Sequence, residues 1–234
     1  MPRRANWSLR CERCRMQKSL CFCDPLPEIH TRIRPIWLLH YRESYQTTNT
    51  GFLIEACVPS TERIVYRPGP DVVDVEPLLK DRENIAVLFP GEGAQELDPS
   101  HVQPTGELTL IVPDGTWRGA SRMVRRDPYL SELPRVTLPV GAPSIYTLRR
   151  ATHTAGLSTL EAFAQAVGVI DGEEPQRALM DVLRRFQDGS FVMKGVQWAL
   201  TPQTARFEPS QWEKRQASHQ ARIDTLIGPY LQDR

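Results

Sequence analysis

The sequence predicts an α/β domain, a mostly parallel sheet flanked by helices, with a small cysteine knuckle in front of it. Three observations predict it. Short apolar runs of strand length, such as Ile36–Leu39 and Ala86–Phe89, alternate with segments of helical spacing. Those runs are apolar at every position instead of every second one, the pattern of strands buried on both faces by covering helices. Four of the five cysteines, Cys11, Cys14, Cys21 and Cys23, fall within thirteen residues.

Taken in order, residues 1–30 read as the knuckle and 31–234 as the main body with a C-terminal helical extension. Ile36–His40 reads as a buried strand, and Thr50–Val58 as a helix closed by Pro59. Ile64–Arg67 is a short strand and Asp74–Lys80 a helix fragment. Ile85–Phe89 and Leu108–Val112 are continuous apolar strands, Arg118–Arg126 is a helix, and Val136–Leu138 is a further strand. Leu157–Val169 follows as a helix, with Ser158, Thr159 and Glu161 supplying polar groups at its start. Glu174–Gln187 and Gln211–Leu231 complete the helices.

Composition narrows the class. Over 234 residues, 40% hydrophobic and 24% charged side chains are ordinary globular usage, which excludes wholesale disorder. Apolar runs fall far short of the roughly twenty residues a membrane helix needs, and Met1–Trp7 has no apolar leader, so a cytoplasmic protein is expected. Twenty prolines imply many ordered loops. Residues 1–34 carry a charge of +5 in a chain whose total is +1. A basic end on a mildly acidic body suits a polyanion contact at that end, with Arg15 and Lys18 as candidates. Of the 29 basic residues 25 are arginine, whose planar fork suits phosphates, although an arginine-rich genome gives the same bias.

In a reducing compartment the C-x2-C-x6-C-x-C spacing favours four thiolates around one structural zinc over disulfides. Cys57 sits in an apolar helix and reads as core. Ligands of parallel α/β sheets sit beyond the strand C-termini, and three such ends carry polar or glycine-rich sequence. They are His40-Tyr41-Arg42-Glu43 leading to Thr48-Asn49-Thr50-Gly51, then Pro90-Gly91-Glu92-Gly93, then Pro113-Asp114-Gly115-Thr116-Trp117. Gly91 and Gly93 make only a weak dinucleotide fingerprint, and a Walker A loop and a nucleophile elbow are absent. Asp114 is a candidate functional residue or the N-cap of the helix after it, and Trp117 an amphipathic plate or a core residue. Arg118, Arg122 and Arg125 share a helix face that is either solvated or a phosphate track.

Asp114-x-Thr116-Trp117 followed by a basic helix resembles the signature of the DTW-domain family. Leu88-Phe89-Pro90, Tyr146-Thr147-Leu148-Arg149-Arg150 and Leu157-Ser158-Thr159-Leu160-Glu161-Ala162 match further blocks in order, as do the His40 and Thr48 segments above. The cysteine cluster is similar to the zinc-binding segment of many bacterial members. The resemblance implies a SPOUT-like fold, the class in which a knotted sheet edge occurs, and a tRNA-uridine aminocarboxypropyltransferase that uses S-adenosylmethionine; the oligomeric state stays open, with a monomer favoured. By that resemblance Asp114 and Trp117 are catalytic. Thr50, Leu88, Phe89, Pro90, Gly91, Val112, Asp114, Leu138, Tyr146, Leu148, Leu157, Thr159 and Glu161 hold the cofactor. Arg15, Lys18, Arg118, Arg122, Arg125, Arg149 and Arg150 meet RNA. Three alternatives remain on the residues alone: methyl transfer on the same scaffold, ribosomal RNA as the target, and a zinc-knuckle RNA-binding protein without turnover.

Overall fold

A computed structural model describes residues 7–67, 75–103, 106–141, 143–149 and 156–194. Six strands, β1 (Ile33–His40), β2 (Glu62–Tyr66), β3 (Ile85–Leu88), β4 (Gln95–Glu96), β5 (Leu108–Asp114) and β6 (Arg135–Thr137), form one sheet. Its order is β2-β1-β5-β3-β6-β4 and every pairing is parallel. The helices are α1 (Phe52–Cys57), α2 (Glu76–Leu79), α3 (Trp117–Arg126), α4 (Pro128–Glu132), α5 (Thr159–Asp171) and α6 (Glu173–Lys194). Among the described residues no helix is long and apolar enough to cross a membrane.

Side-chain alternation along the strands divides the core in two. Ile33, Trp37, Leu39, Leu110 and Val112 face one layer, where α1, α5, α6 and the knuckle residues Met16 and Phe22 cover them. Ile36, Leu38, Ile111 and Val87 face the other, under Leu79 of α2, Met123 and Val124 of α3 and Leu130 of α4. The expected double cover is therefore present. Pro35 sits inside β1 without breaking it. The Arg32 carbonyl accepts from Leu108 of β5, so odd-numbered residues of β1 aim their backbone at β2, whose pairing starts only at Ile36. No ladder bond is lost at the proline nitrogen.

Several boundaries differ from the expectation, each for a tertiary reason. β4 consists of two exposed polar residues and is held only by pairing with β6, so no apolar signal marks it. α4 is a five-residue helix that Asp127 caps by accepting from the backbone N–H of Tyr129 and Leu130. α6 runs past Gln187 through Asp188-Gly189-Ser190 to Lys194, because that polar stretch is buried against the knuckle. A Cβ at Gly189 would lie 2.9 Å from the Met16 sulfur. Asp74 and Gln211–Leu231 fall outside the described residues.

One polar clamp closes the sheet against α5. The Asp171 carboxylate accepts from the Thr31 hydroxyl, from the Arg32 backbone N–H at 3.2 Å and from Arg32 Nε at 2.9 Å. It thereby fixes where β1 begins relative to the end of α5, some 140 residues away in sequence. Asp171→Ala strands these donors, and hydrogen bonds to a charged group are worth about 1.5 to 3 kcal/mol. Urea denaturation should show that loss as a lower midpoint with an unchanged slope.

Candidate functional site

The C-terminal ends of β5, β3 and β6, with Thr48 and Thr50 of the loop that follows β1, open on one cavity of about 650 Å³, within the range typical of small-ligand sites. Its walls are apolar, from Leu88, Phe89, Val112, Leu138 and Leu157, with Thr50, Asp114, Thr159 and Arg149 as polar points. The loop Thr137–Gly141 and the start of α5 complete the enclosure.

Asp114 ends β5 at the buried side of this cavity, only 2% exposed. Its Oδ2 accepts from Trp37 Nε1 at 2.7 Å and from Asn49 Nδ2 at 2.6 Å. Its Oδ1 accepts from the Thr159 hydroxyl at 2.8 Å. Burial raises the carboxyl above its ordinary range, against the pull of these three donors toward the charged form. Gly51 makes room for the arrangement. A Cβ there would meet Trp37 Nε1 at 2.2 Å and Asp114 Oδ2 at 2.4 Å, so any side chain breaks the contact. The N-cap of α3 is Thr116, whose hydroxyl accepts from the Gly119 N–H at 3.1 Å. Asp114 does not cap that helix.

Trp117, the first residue of α3, is 43% exposed and stacks on Phe89 with ring centroids 5.1 Å apart. It forms an aromatic rim to the cavity instead of part of the core. Arg149 also lines the wall, and its guanidinium is gripped by Glu43 through Nη1–Oε2 at 2.6 Å and Nη2–Oε1 at 2.9 Å. Glu43 is buried, so this bidentate pair is well shielded and fixes the guanidinium in place. His40, at the end of β1, is held below the usual histidine range by burial and by the adjacent Arg42 charge.

The expected cofactor residues separate into two groups. Thr50, Leu88, Phe89, Pro90, Val112, Asp114, Leu138, Tyr146, Leu157 and Thr159 line the cavity, while Gly91, Leu148 and Glu161 do not. Gly91 occupies an exposed turn, and Leu148 packs against the core. Glu161 works behind the wall. Its carboxylate accepts from the Ser158 and Ile145 N–H groups at 2.7 Å each and from the Ser144 hydroxyl at 2.7 Å, tying loop 144–146 to the start of α5. From α6, Gln187 braces the same loop by accepting from Thr147 N–H at 2.7 Å and donating to the Ile145 carbonyl at 3.1 Å. The sequence reading missed Trp37, Asn49, Gly51 and Gln187 as site residues. Trp37 looks like core in an apolar run, and nothing local marks Gln187; Asn49 and Gly51 stood in a quoted motif without a role.

Of the expected RNA residues, Arg118, Arg122, Arg125 and Lys18 are exposed, and Arg150 lies outside the described residues. Arg15 is turned inward. Its left-handed backbone (φ 55°) carries the guanidinium 4.2 Å over the Phe52 ring, and burial lowers its pKa to about 10. Cys57 is buried, which pushes its thiol up to about 12, as a core cysteine requires.

The knuckle sulfurs of Cys11, Cys14, Cys21 and Cys23 all lie within 4.8 Å of one another, with Cys11–Cys23 at 3.6 Å and Cys14–Cys21 at 3.7 Å. A zinc held tetrahedrally by sulfurs at about 2.3 Å spaces them about 3.8 Å apart, so the cluster fits that ion and those four residues would hold it. Its contribution there is structural: it would lock the turn that carries Met16, Leu20 and Phe22 into the core beside α6. Arg185 of α6 secures the same turn, donating to the Pro25 carbonyl at 3.0 Å and to the Phe22 carbonyl. Burial pushes the Cys14 thiol up to about 11, so metal binding must expel protons and weakens as pH falls. Elemental analysis of protein purified under reducing conditions should give one zinc per chain. A chelator should lower the melting temperature, more at pH 6 than at pH 8; no zinc and no shift would remove the metal from the knuckle.

The DTW domain family model matches residues 8–190. A Drosophila melanogaster protein named tRNA-uridine aminocarboxypropyltransferase 2 is 27% identical over 186 residues, covering 75% of this chain and 71% of its own length. A Macaca fascicularis protein of the same name is 26% identical over 167 residues, covering 69% of this chain and 56% of its own length. An Arabidopsis thaliana protein named tRNA-uridine aminocarboxypropyltransferase A is 27% identical over 212 residues, 76% of this chain and 80% of its own length. No solved structure matches. The family match runs from the knuckle through the sheet, the cavity loops and most of α6, and the chain belongs to the DTW domain family.

Proposed function

We propose that this protein is a tRNA-uridine aminocarboxypropyltransferase, with residues 31–234 as its catalytic body and the knuckle as its metal-stabilised appendage. One observation carries the reading: a desolvated carboxylate, Asp114, at the buried side of the cavity and an exposed tryptophan, Trp117, at its rim. The names of the fly, macaque and Arabidopsis relatives support it. S-adenosylmethionine, the second substrate, supplies a sulfonium whose aminocarboxypropyl carbon bonds to uridine N3 as its bond to sulfur breaks and sulfur keeps the electron pair. Everything else is done by the chain.

The apolar walls from Leu88, Phe89, Val112, Leu138 and Leu157 suit an adenine. Arg149, oriented by Glu43, suits the carboxylate of the transferred group, and holding that group in line selects its carbon over the methyl. Trp117 offers a face on which a splayed uracil can stack. N3 loses a proton during the reaction, and Asp114 is placed to accept it. Oδ2 is occupied by two donors, whereas Oδ1 receives only the Thr159 hydroxyl and keeps a lone pair. Burial lifts this carboxyl toward the range in which a base is effective.

Asp114→Asn tests the assignment cleanly. An amide oxygen at the Oδ2 position keeps both of its donors, and the amide nitrogen can donate to the Thr159 hydroxyl, which rotates to accept. The pocket is preserved and the basic lone pair is lost. Single-turnover rates should fall about 10²- to 10⁴-fold with little change in S-adenosylmethionine affinity. Because the folded state raises this pKa, the native chain binds more protons than the unfolded one just above the ordinary carboxylate range, and stability falls as pH rises through that window. The charged carboxylate therefore costs stability at neutral pH, so the variant should melt no lower than the parent there. In the parent, kcat/KM should drop as pH is lowered through the same raised pKa. A near-normal single-turnover rate in the variant would exclude the base role. A product carrying methyl in place of aminocarboxypropyl, read by mass spectrometry of the modified tRNA, would overturn the transfer assigned.

A further inference from the structure

A second cationic feature lies outside the cavity, at the exposed ends of β1 and β2. The turn Tyr41–Tyr45 follows β1 directly, and Arg67 follows β2. The Arg42 guanidinium sits 5.5 Å and the Arg67 guanidinium 5.9 Å from the centroid of the Tyr41 ring. Arg42 Nε also donates to the Tyr41 hydroxyl at 2.8 Å. Both arginines are exposed, and neither forms an ion pair among the described residues. Two exposed guanidiniums thus gather at one aromatic ring. Two cations at one surface ring, without carboxylate partners among the described residues, suit the phosphates of a polyanion.

The feature adjoins the active-site rim. The His40 ring stacks near Tyr41, 5.0 Å between centroids, and its Cδ2 lies 3.8 Å from where a Cβ of Gly119 in α3 would stand. Tyr66 at the end of β2 shares a core cluster with Met123 of α3. The start of helix α3 therefore lies beside the end of β1, so the Tyr41 turn neighbours the helix that carries Trp117. Tyr45, 72% exposed in the same turn, adds a free aromatic face for a base.

We propose that Arg42 and Arg67, held over Tyr41, form a phosphate grip for the RNA strand that flanks the uridine entering the cavity. This rests on the tRNA reading above. It adds a contact that neither the DTW signature nor the basic helix supplies.

The test is tRNA binding by the full chain across a salt series, comparing the parent with Arg42→Gln/Arg67→Gln and with Arg42→Lys/Arg67→Lys. Loss of two phosphate contacts should lower the log–log salt slope of the glutamine variant by about 1.4 to 1.8 and weaken binding at low salt. The lysine variant, which keeps the charge, should retain the slope. S-adenosylmethionine affinity by calorimetry and melting temperature should stay the same in both. An unchanged slope in the glutamine variant, with the parent binding tRNA, overturns the grip and leaves the tRNA reading intact. An equal loss in both variants assigns the arginines a structural role and also overturns it. A parent that binds no tRNA at all defeats both readings together.

Discussion

The site depends on one buried carboxylate and the three donors aimed at it. Asp114 comes from β5, Trp37 from β1, Asn49 from the loop after β1, and Thr159 from the first turn of α5. Burying a carboxylate is costly unless its oxygens are satisfied, so these four segments are held in a fixed arrangement by the need to satisfy it. Gly51 belongs to the same constraint, since only a missing side chain lets the loop approach the indole and carboxylate together. The same contacts shape the buried wall of the cavity. A group whose ionised form is costly, yet whose donors keep it in place, supports the base role proposed for it.

Around this centre, polar contacts of long sequence range do what a loop-rich chain cannot do locally. Glu161 and Gln187 define the course of residues 144–147, which have no regular secondary structure of their own. Glu43 fixes Arg149 across 106 residues, and Asp171 ties the start of β1 to the end of α5. The knuckle joins the same framework through α6, where Met16 packs against Gly189 and Arg185 reaches the Phe22 and Pro25 carbonyls. A segment with few apolar residues, its four sulfurs clustered, thereby packs on the helix that braces the cavity loops.

Charge is arranged with equal economy. Cations that line or adjoin the interior are neutralised or covered, Arg149 by Glu43 and Arg15 by the Phe52 ring. Those of α3 point outward, on the flank that also carries the aromatic rim at Trp117. On the proposed function, this separation suits a base that enters the cavity while its phosphates stay on the outer surface.

The sequence by itself determined the class of the fold and which polar and aromatic residues stand at the ends of its buried strands. Continuous apolar runs at Ile36–Leu39, Ile85–Phe89 and Leu108–Val112 have the length and pattern of strands covered on both sides, and the cysteine spacing suits one four-sulfur cluster. Asp114, Trp117 and the arginine face of α3 stood out because each is a polar or amphipathic residue placed just past a buried strand. Tertiary structure alone decided what those residues touch. Trp37 reads as one more apolar core residue until its indole N–H is seen to meet Asp114, and Asn49 and Gln187 look like ordinary polar loop and helix residues. Arg15, identical in composition to the exposed arginines, is turned inward by a left-handed backbone that spacing does not encode. β4 and the last turns of α6 likewise owe their existence to partners rather than to periodicity. Hydrophobic pattern is a local property and survives in one dimension, whereas a hydrogen bond to a buried charge depends on which distant segments the packing brings within 3 Å.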